Sequence, residues 1–153
     1  MNTTEWDRSN PYMSTLEVKP EHTDRLGHTN NVAYLEWMED ISWQHIETIG
    51  MGWDVQEREG KAMAIVRTEV DYLHASYADD RLVLATWITE SDDRLFSARH
   101  FQMVRAVDGK TIMRAQSRYV CILLASGKPC RMPKAFVEGH RKALQVHATD
   151  PGS

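Results

Sequence analysis

The chain of 153 residues has only two cysteines, Cys121 and Cys130, in no metal-ligand spacing. Reduced thiols are expected, not a disulfide framework. Long apolar runs are also missing. The longest, Val-Cys-Ile-Leu-Leu-Ala at 120–125, falls far short of the ~20 residues of a membrane-spanning helix. The polar start MNTTEWDRSN lacks the apolar segment of a secretory signal. Positive charge is in deficit: 18 Lys and Arg against 22 Asp and Glu give a net charge of −4. That balance argues against a nucleic-acid partner. No G-x-S-x-G elbow, H-E-x-x-H helix, paired C-x-x-C or Gly-rich phosphate loop after a strand occurs. These absences speak against an α/β-hydrolase, a zinc site and a phosphate-binding loop. The expectation is a cytoplasmic protein with no membrane or nucleic-acid partner.

What is present is ordinary for a globular protein: 42% apolar and 26% charged residues. The length suits one domain over 1–153, with loose termini over about 1–10 and 145–153. Helical periodicity is strongest over 31–49. Leu35, Met38, Ile41, Ile46 and Ile49 recur on one face, opposite Glu36, Asp40, Gln44 and Glu47. Ala33, Trp37 and Trp43 widen the apolar arc. Asn30 or Thr29 can cap the start and Gly50 can end the helix.

Strand patterns occupy 12–19, 62–73, 82–89, 95–107 and 111–124. In the second, Ala62, Ala64, Val66, Val70 and Tyr72 alternate with Arg67, Glu69 and Asp71. Asp108-Gly109 marks a hairpin, and a short helix is expected from about 133. The order predicts an α+β fold: a strand, a long helix, then a four-strand antiparallel meander wrapping that helix. One helix cannot cover both sheet faces, so the other face or an edge is expected to meet a second copy of the chain.

The polar stretch DRLGHTNNVAYLEWMED, Asp24 to Asp40, runs directly into the long helix. A helix start offers unpaired N–H groups and partial positive charge, a place to hold a developing oxyanion. Asp24 lies close enough for a loop to bring its carboxylate there, Gly27 permits the turn, and His28, Asn30 and Asn31 offer hydrogen bonds. A carboxylate beside an electrophile-binding amide suggests acyl transfer or hydrolysis. The same residue types are also ordinary turn and cap formers, and the local pattern leaves both readings open.

The stretch resembles the start of hotdog-fold acyl-CoA thioesterases of the 4-hydroxybenzoyl-CoA thioesterase type, which carry a similar Asp-x-x-Gly-His-x-Asn-Asn-x-x-Tyr run. The likeness continues through TEVDYLHASYADDRLVL and SGKPCRMP, over about residues 12–140. It implies a hotdog fold and hydrolysis of acyl-CoA by a dimer or tetramer, with no metal or bound cofactor. It implies Asp24 as nucleophile or general base and the amide at Asn31 as the polariser of the thioester carbonyl. It implies Gly27, His28 and Asn30 as shapers of the loop and Tyr34 as part of the acyl pocket. His74 and Ala75 depart from the proline found there in many relatives.

Lys128, Arg131 and Lys134 could contact CoA phosphates, or form a solvated basic patch. Trp37, Trp43, Trp53 and Trp87 could line an acyl pocket, although core packing is the commoner role, as it is for Cys121. Two rivals remain on the same fold: a hydratase or dehydratase, and a non-catalytic protein that binds acyl-CoA or acyl carrier.

Overall fold

A computed structural model describes residues 5–149; the expected loose ends at 1–4 and 150–153 lie outside the described residues. Five strands, β1 (Tyr12–Glu17), β2 (Lys61–Tyr72), β3 (Arg81–Ser91), β4 (Phe96–Arg105) and β5 (Lys110–Leu123), form one antiparallel sheet. Three helices accompany it: α1 (Asn31–Thr48), α2 (Trp53–Glu59) and α3 (Lys134–Ala148).

The strand order β1-β3-β4-β5-β2 corrects the expected meander. β3, β4 and β5 are consecutive neighbours, but β2 pairs with β5 at the far edge. Residues 73–80 therefore do not turn back as a hairpin. They cross the end of the sheet: the Leu73 and His74 N–H groups donate to the Ile112 carbonyl, and Arg105 Nη1 donates to the Ala75 carbonyl.

The alternation expected along β2 is interrupted as well. Ile65 pairs with Tyr119 and Arg67 with Arg118, so Val66 is an extra residue in a bulge. Each residue beyond the bulge changes face. Val70 and Tyr72 lie opposite Ala115 and Met113 on the helix side, whereas Ala62 and Ala64 share the other face with Arg67, Glu69 and Asp71.

α1 lies on the inner face of the sheet. It buries Ala33, Tyr34, Met38, Ile41 and His45 against a cluster that includes Val18, Leu82, Leu84, Phe101 and Met103. Removing Met38 and Ile41 from water contributes about 1.5–3 kcal/mol each. The stripe is rotated from the one expected: Leu35 is exposed, and the amphipathic Tyr34 and His45 take inward positions. α2 has no counterpart among the expected elements. It is a seven-residue helix whose C-terminal Gly60 adopts φ +65°.

α3 is longer than the short helix expected and continues to Ala148. With Ile49, Met51, Ile88, Cys121 and Met132 it forms a second apolar cluster through Phe136 and Ala143. Gly139 allows this approach, because a Cβ there would stand 2.6 Å from Met51 Cγ and 2.8 Å from the Ile49 carbonyl oxygen.

Residues 5–10, expected to be loose, run across the outer sheet face. Trp6 packs edge-on against Trp87, with centroids 6.2 Å apart. The Asp7 carboxylate accepts from Arg114 Nε (2.8 Å) and Nη2 (2.9 Å) and meets His100 Nε2 at 3.0 Å. These partners, Arg114 foremost, hold the Asp7 carboxyl below the usual carboxylate range. The face expected to await a second copy is thus covered in part by the chain itself. Exposed apolar side chains instead gather on β2 and just beyond it, at Ile65, Val66, Tyr72 and Leu73. No helix among the described residues is long and apolar enough to cross a membrane.

Candidate active site

The loop before α1 is closed by its own backbone. Thr23 and Thr29 pair as an isolated bridge. Between them the Asp24 N–H donates to the His28 carbonyl (2.8 Å) and the Gly27 N–H to the Asp24 carbonyl (3.0 Å). Gly27 sits at φ +79°, a conformation that side-chain-bearing residues resist. The turn fixes Asp24 directly, since its Oδ1 accepts from the N–H groups of Leu26 (2.8 Å) and His28 (3.2 Å). Oδ2 has no partner among the described residues. His28 thus orients Asp24 through its backbone, while its ring packs edge-on against Tyr77 at 5.1 Å.

Asn30 rather than Thr29 caps α1: its Oδ1 accepts from the Ala33 N–H at 2.8 Å. The N–H groups of Asn31 and Val32 have no acceptor among the described residues, and the first turn carries no acidic residue. The helix's own first turn therefore does not compensate its positive end.

Thr29 is tied instead to the crossing segment. Its Oγ1 lies 2.6 Å from Ser76 Oγ, which lies 2.8 Å from the Tyr34 hydroxyl. This buried chain of hydroxyls joins the loop, the first turn of α1 and residues 73–80. It bounds a cavity of about 330 Å³, lined on one side by Asp24, His28, Thr29, Asn31 and Tyr34 and on the other by Tyr72, Leu73, His74 and Ala75.

The structure thus brings together Asp24, His28, Asn31 and Tyr34. Gly27 and Asn30 stand behind the cavity wall, as turn and cap. Lys128 and Arg131 are not part of it. They lie on the exposed loop after β5, where Lys61 Nζ donates to the Arg131 carbonyl at 2.8 Å. That is the opposite end of the twelve-residue β2 from Tyr72, at most ~36 Å along the strand at ~3.3 Å per residue.

None of the four tryptophans singled out lines the cavity. Trp87 is buried beneath the N-terminal segment, and Trp37 packs against Tyr34 and His22. Trp43 and Trp53 form an exposed pair. Two lining or supporting residues escape sequence reasoning. Ser76 gives no signal before its partners are known, and His74 reads only as a departure from a motif. Cys121 and Cys130 are free thiols 3.8 Å apart. Burial, followed by the Cys130 thiol, pushes Cys121 up to about 12.

Comparison with known proteins fits this geometry. The model of the thioesterase-like superfamily matches residues 18–139. The Bacillus subtilis protein YneP, whose name proposes acyl-CoA thioesterase activity, is 26% identical over 125 residues, covering 82% of this chain and 89% of that protein. Among solved structures, SAV2348 of Staphylococcus aureus, determined in complex with CoA, superposes with a TM-score of 0.83 at 14% identity. It covers 96% of this chain and 92% of that one. The 1,4-dihydroxy-2-naphthoyl-CoA thioesterase Slr0204 of Synechocystis superposes at 0.76 with 18% identity, covering 86% and 96%. The long helix on a 1-3-4-5-2 antiparallel sheet is a hotdog fold, and this chain belongs to the thioesterase-like superfamily as a thioester hydrolase.

Proposed function

We propose that the chain hydrolyses acyl-CoA thioesters in the Asp24 cavity. The observation that carries this reading is that a fixed carboxylate and an unpaired helix N–H line the same cavity. The thioester carbonyl oxygen accepts from the Asn31 N–H, where the helix dipole stabilises the charge that develops in the tetrahedral intermediate. Asp24 either attacks the carbonyl carbon, giving an anhydride that water opens, or takes a proton from the attacking water. Either route breaks the C–S bond, adds one water and yields the free acid and CoA thiol. Tyr34, held by Ser76, shapes the acyl side.

The CoA-bound SAV2348 and the thioesterases named above support CoA as the carrier. The hydratase reading is less favoured, because the His28 ring is engaged with Tyr77.

The same geometry supports an assembly of copies. Two copies paired antiparallel along the exposed β2 edge would bring the Lys128–Arg131 loop of one toward the Asp24 end of the other. A dimer, or a tetramer of such dimers, is thus the working unit, acting in the cytoplasm. Asp24→Asn tests the proposal: kcat should fall by roughly 10²-fold or more, the scale of a lost general base, with folding and acyl-CoA binding retained. His28→Ala should cost less. A folded Asp24→Asn protein with near wild-type turnover removes Asp24 from the mechanism.

A further inference from the structure

The inner side of the sheet holds a second cavity, of about 300 Å³, between α1, α3 and the sheet. No residue lines both cavities. Along α1, Tyr34 and Ser42 mark the two, roughly 12 Å apart at ~1.5 Å per residue.

The wall of the second cavity is mixed: Ile46, Met63, Ile88 and Phe136 form its apolar part, and Ser42, Gln56, Ser97 and His140 stand among its polar groups. Into it projects Arg99 of β4, only 3% exposed. Its Nη1 meets His45 Nδ1 at 2.9 Å and donates to Thr86 Oγ1 at 3.1 Å, and the Tyr119 hydroxyl lies against the guanidinium. Apart from that hydroxyl, Nε and Nη2 have no acceptor among the described residues. No Asp or Glu among them forms an ion pair with Arg99.

The groups that surround the guanidinium do not supply a negative charge in contact with it. Burial, together with the charge of Arg99, keeps His45 neutral down to about 3. Burial lowers His140 as well, and its Nδ1 is engaged with the Phe136 carbonyl. Glu39 lines the cavity as an exposed residue; its carboxylate accepts from Trp43 Nε1 and forms no ion pair with Arg99. A buried cation without a counter-ion is costly to the fold, and it is placed where a ligand could supply one.

We propose that this cavity binds a carboxylic acid with a compact apolar body. The carboxylate pairs with Arg99 and accepts from Tyr119, and the body packs against Met63, Ile88 and Phe136. A guanidinium suits a carboxylate in two-point contact. The single cation, the Glu39 carboxylate and the apolar part of the wall select a monoanion with an apolar body over a bare polyanion, and the volume is at the small end of ligand sites. The site stands independently of the Asp24 reading. Where that reading also holds, the acid released by hydrolysis belongs to the class of ligand bound here.

Calorimetric titration of the full chain with benzoate, and with benzamide as the neutral isostere, tests the proposal. Benzoate should bind saturably, one per chain, and benzamide at least tenfold more weakly. Arg99→Gln should weaken benzoate at least tenfold. Ser42→Phe, which fills the cavity from α1 and keeps Arg99 in the chain, should do the same and decides the matter should Arg99→Gln not fold. Asp24→Asn should leave benzoate affinity within twofold. Equal binding of benzamide, absence of saturable benzoate binding at millimolar concentration, or an affinity that follows Asp24 rather than Arg99 and Ser42 overturns the assignment.

Discussion

The two cavities lie along one helix and carry opposite charge. At the start of α1, Asp24 and Asn31, whose N–H is unpaired among the described residues, line one cavity that opens between exposed loops. Toward its end, a guanidinium sits beside His45 in the packed interior. The pattern partly follows the helix dipole, which favours anionic groups and developing oxyanions at the start and cations near the end. The settings differ in cost. Asp24 keeps one oxygen in backbone hydrogen bonds and the residue is exposed, so its charge is cheap to hold. Arg99 relies on neutral acceptors in a setting that penalises charge. Changes at the loop cavity should therefore act on turnover, and changes around the inner cavity on stability.

The largest stability effect is expected at Phe136, almost fully buried in the cluster beside the inner cavity. Phe136→Ala should destabilise by about 3–5 kcal/mol, measured by urea unfolding; a loss below about 1 kcal/mol would show that the cluster is loosely packed.

Acid should come next. His45 stays neutral in the folded protein down to about 3, whereas its ordinary value is 6.5. Its contribution is therefore full above 6.5 and declines as pH falls below that value, because only the unfolded chain takes up the proton. At about 1.4 kcal/mol per pH unit, one such histidine costs roughly 2 kcal/mol by pH 5. His140 and His147 are lowered too and act in the same direction. Asp7 acts in a separate window, below its ordinary 3.8. Unfolding at pH 7 and pH 5 should show the loss; equal stability at both contradicts the buried-histidine account.

A smaller effect is expected at the cap of α1. Asn30→Ala removes the bond to the Ala33 N–H and should cost about 1 kcal/mol, read as a lowered urea midpoint with an unchanged slope. The smallest concerns the exposed loop of Lys128 and Arg131. If a second copy delivers these residues to CoA, charge reversal at both should raise KM for acyl-CoA severalfold and leave kcat nearly unchanged. It should hardly affect a short thioester lacking the nucleotide. Equal losses on both substrates would mark the loop as structural.

The contrast between the cavities also explains what could be read in the chain. At the outer cavity the turn at Gly27 and the cap at Asn30 were legible from local chemistry, whereas the roles of Asp24, Asn31 and Tyr34 came from the resemblance. The strand segments and α1 were legible from period alone. The position of β2 was not, because residues 73–80 resemble a turn, and only the bonds to Ile112 and Arg105 show them crossing the sheet end. The bulge at Val66 reversed an alternation that looked uninterrupted. The inner site gave less warning still. Arg99 shares the inward phase of β4 with Phe101 and Met103, but His45, Thr86 and Tyr119 reach it from three other elements. The rotated stripe of α1 had the same origin, since Tyr34 and His45 are inward only because Ser76 and Arg99 satisfy their polar atoms.

The most direct test of the central claim is thiol release by the wild-type protein against a panel of aromatic, short-chain and long-chain acyl-CoAs. The account predicts catalytic turnover on at least one class, with one free acid formed for each CoA thiol released. Acyl-CoA binding without thiol release across the whole panel would contradict it, and so would hydration of an enoyl-CoA with its thioester left intact.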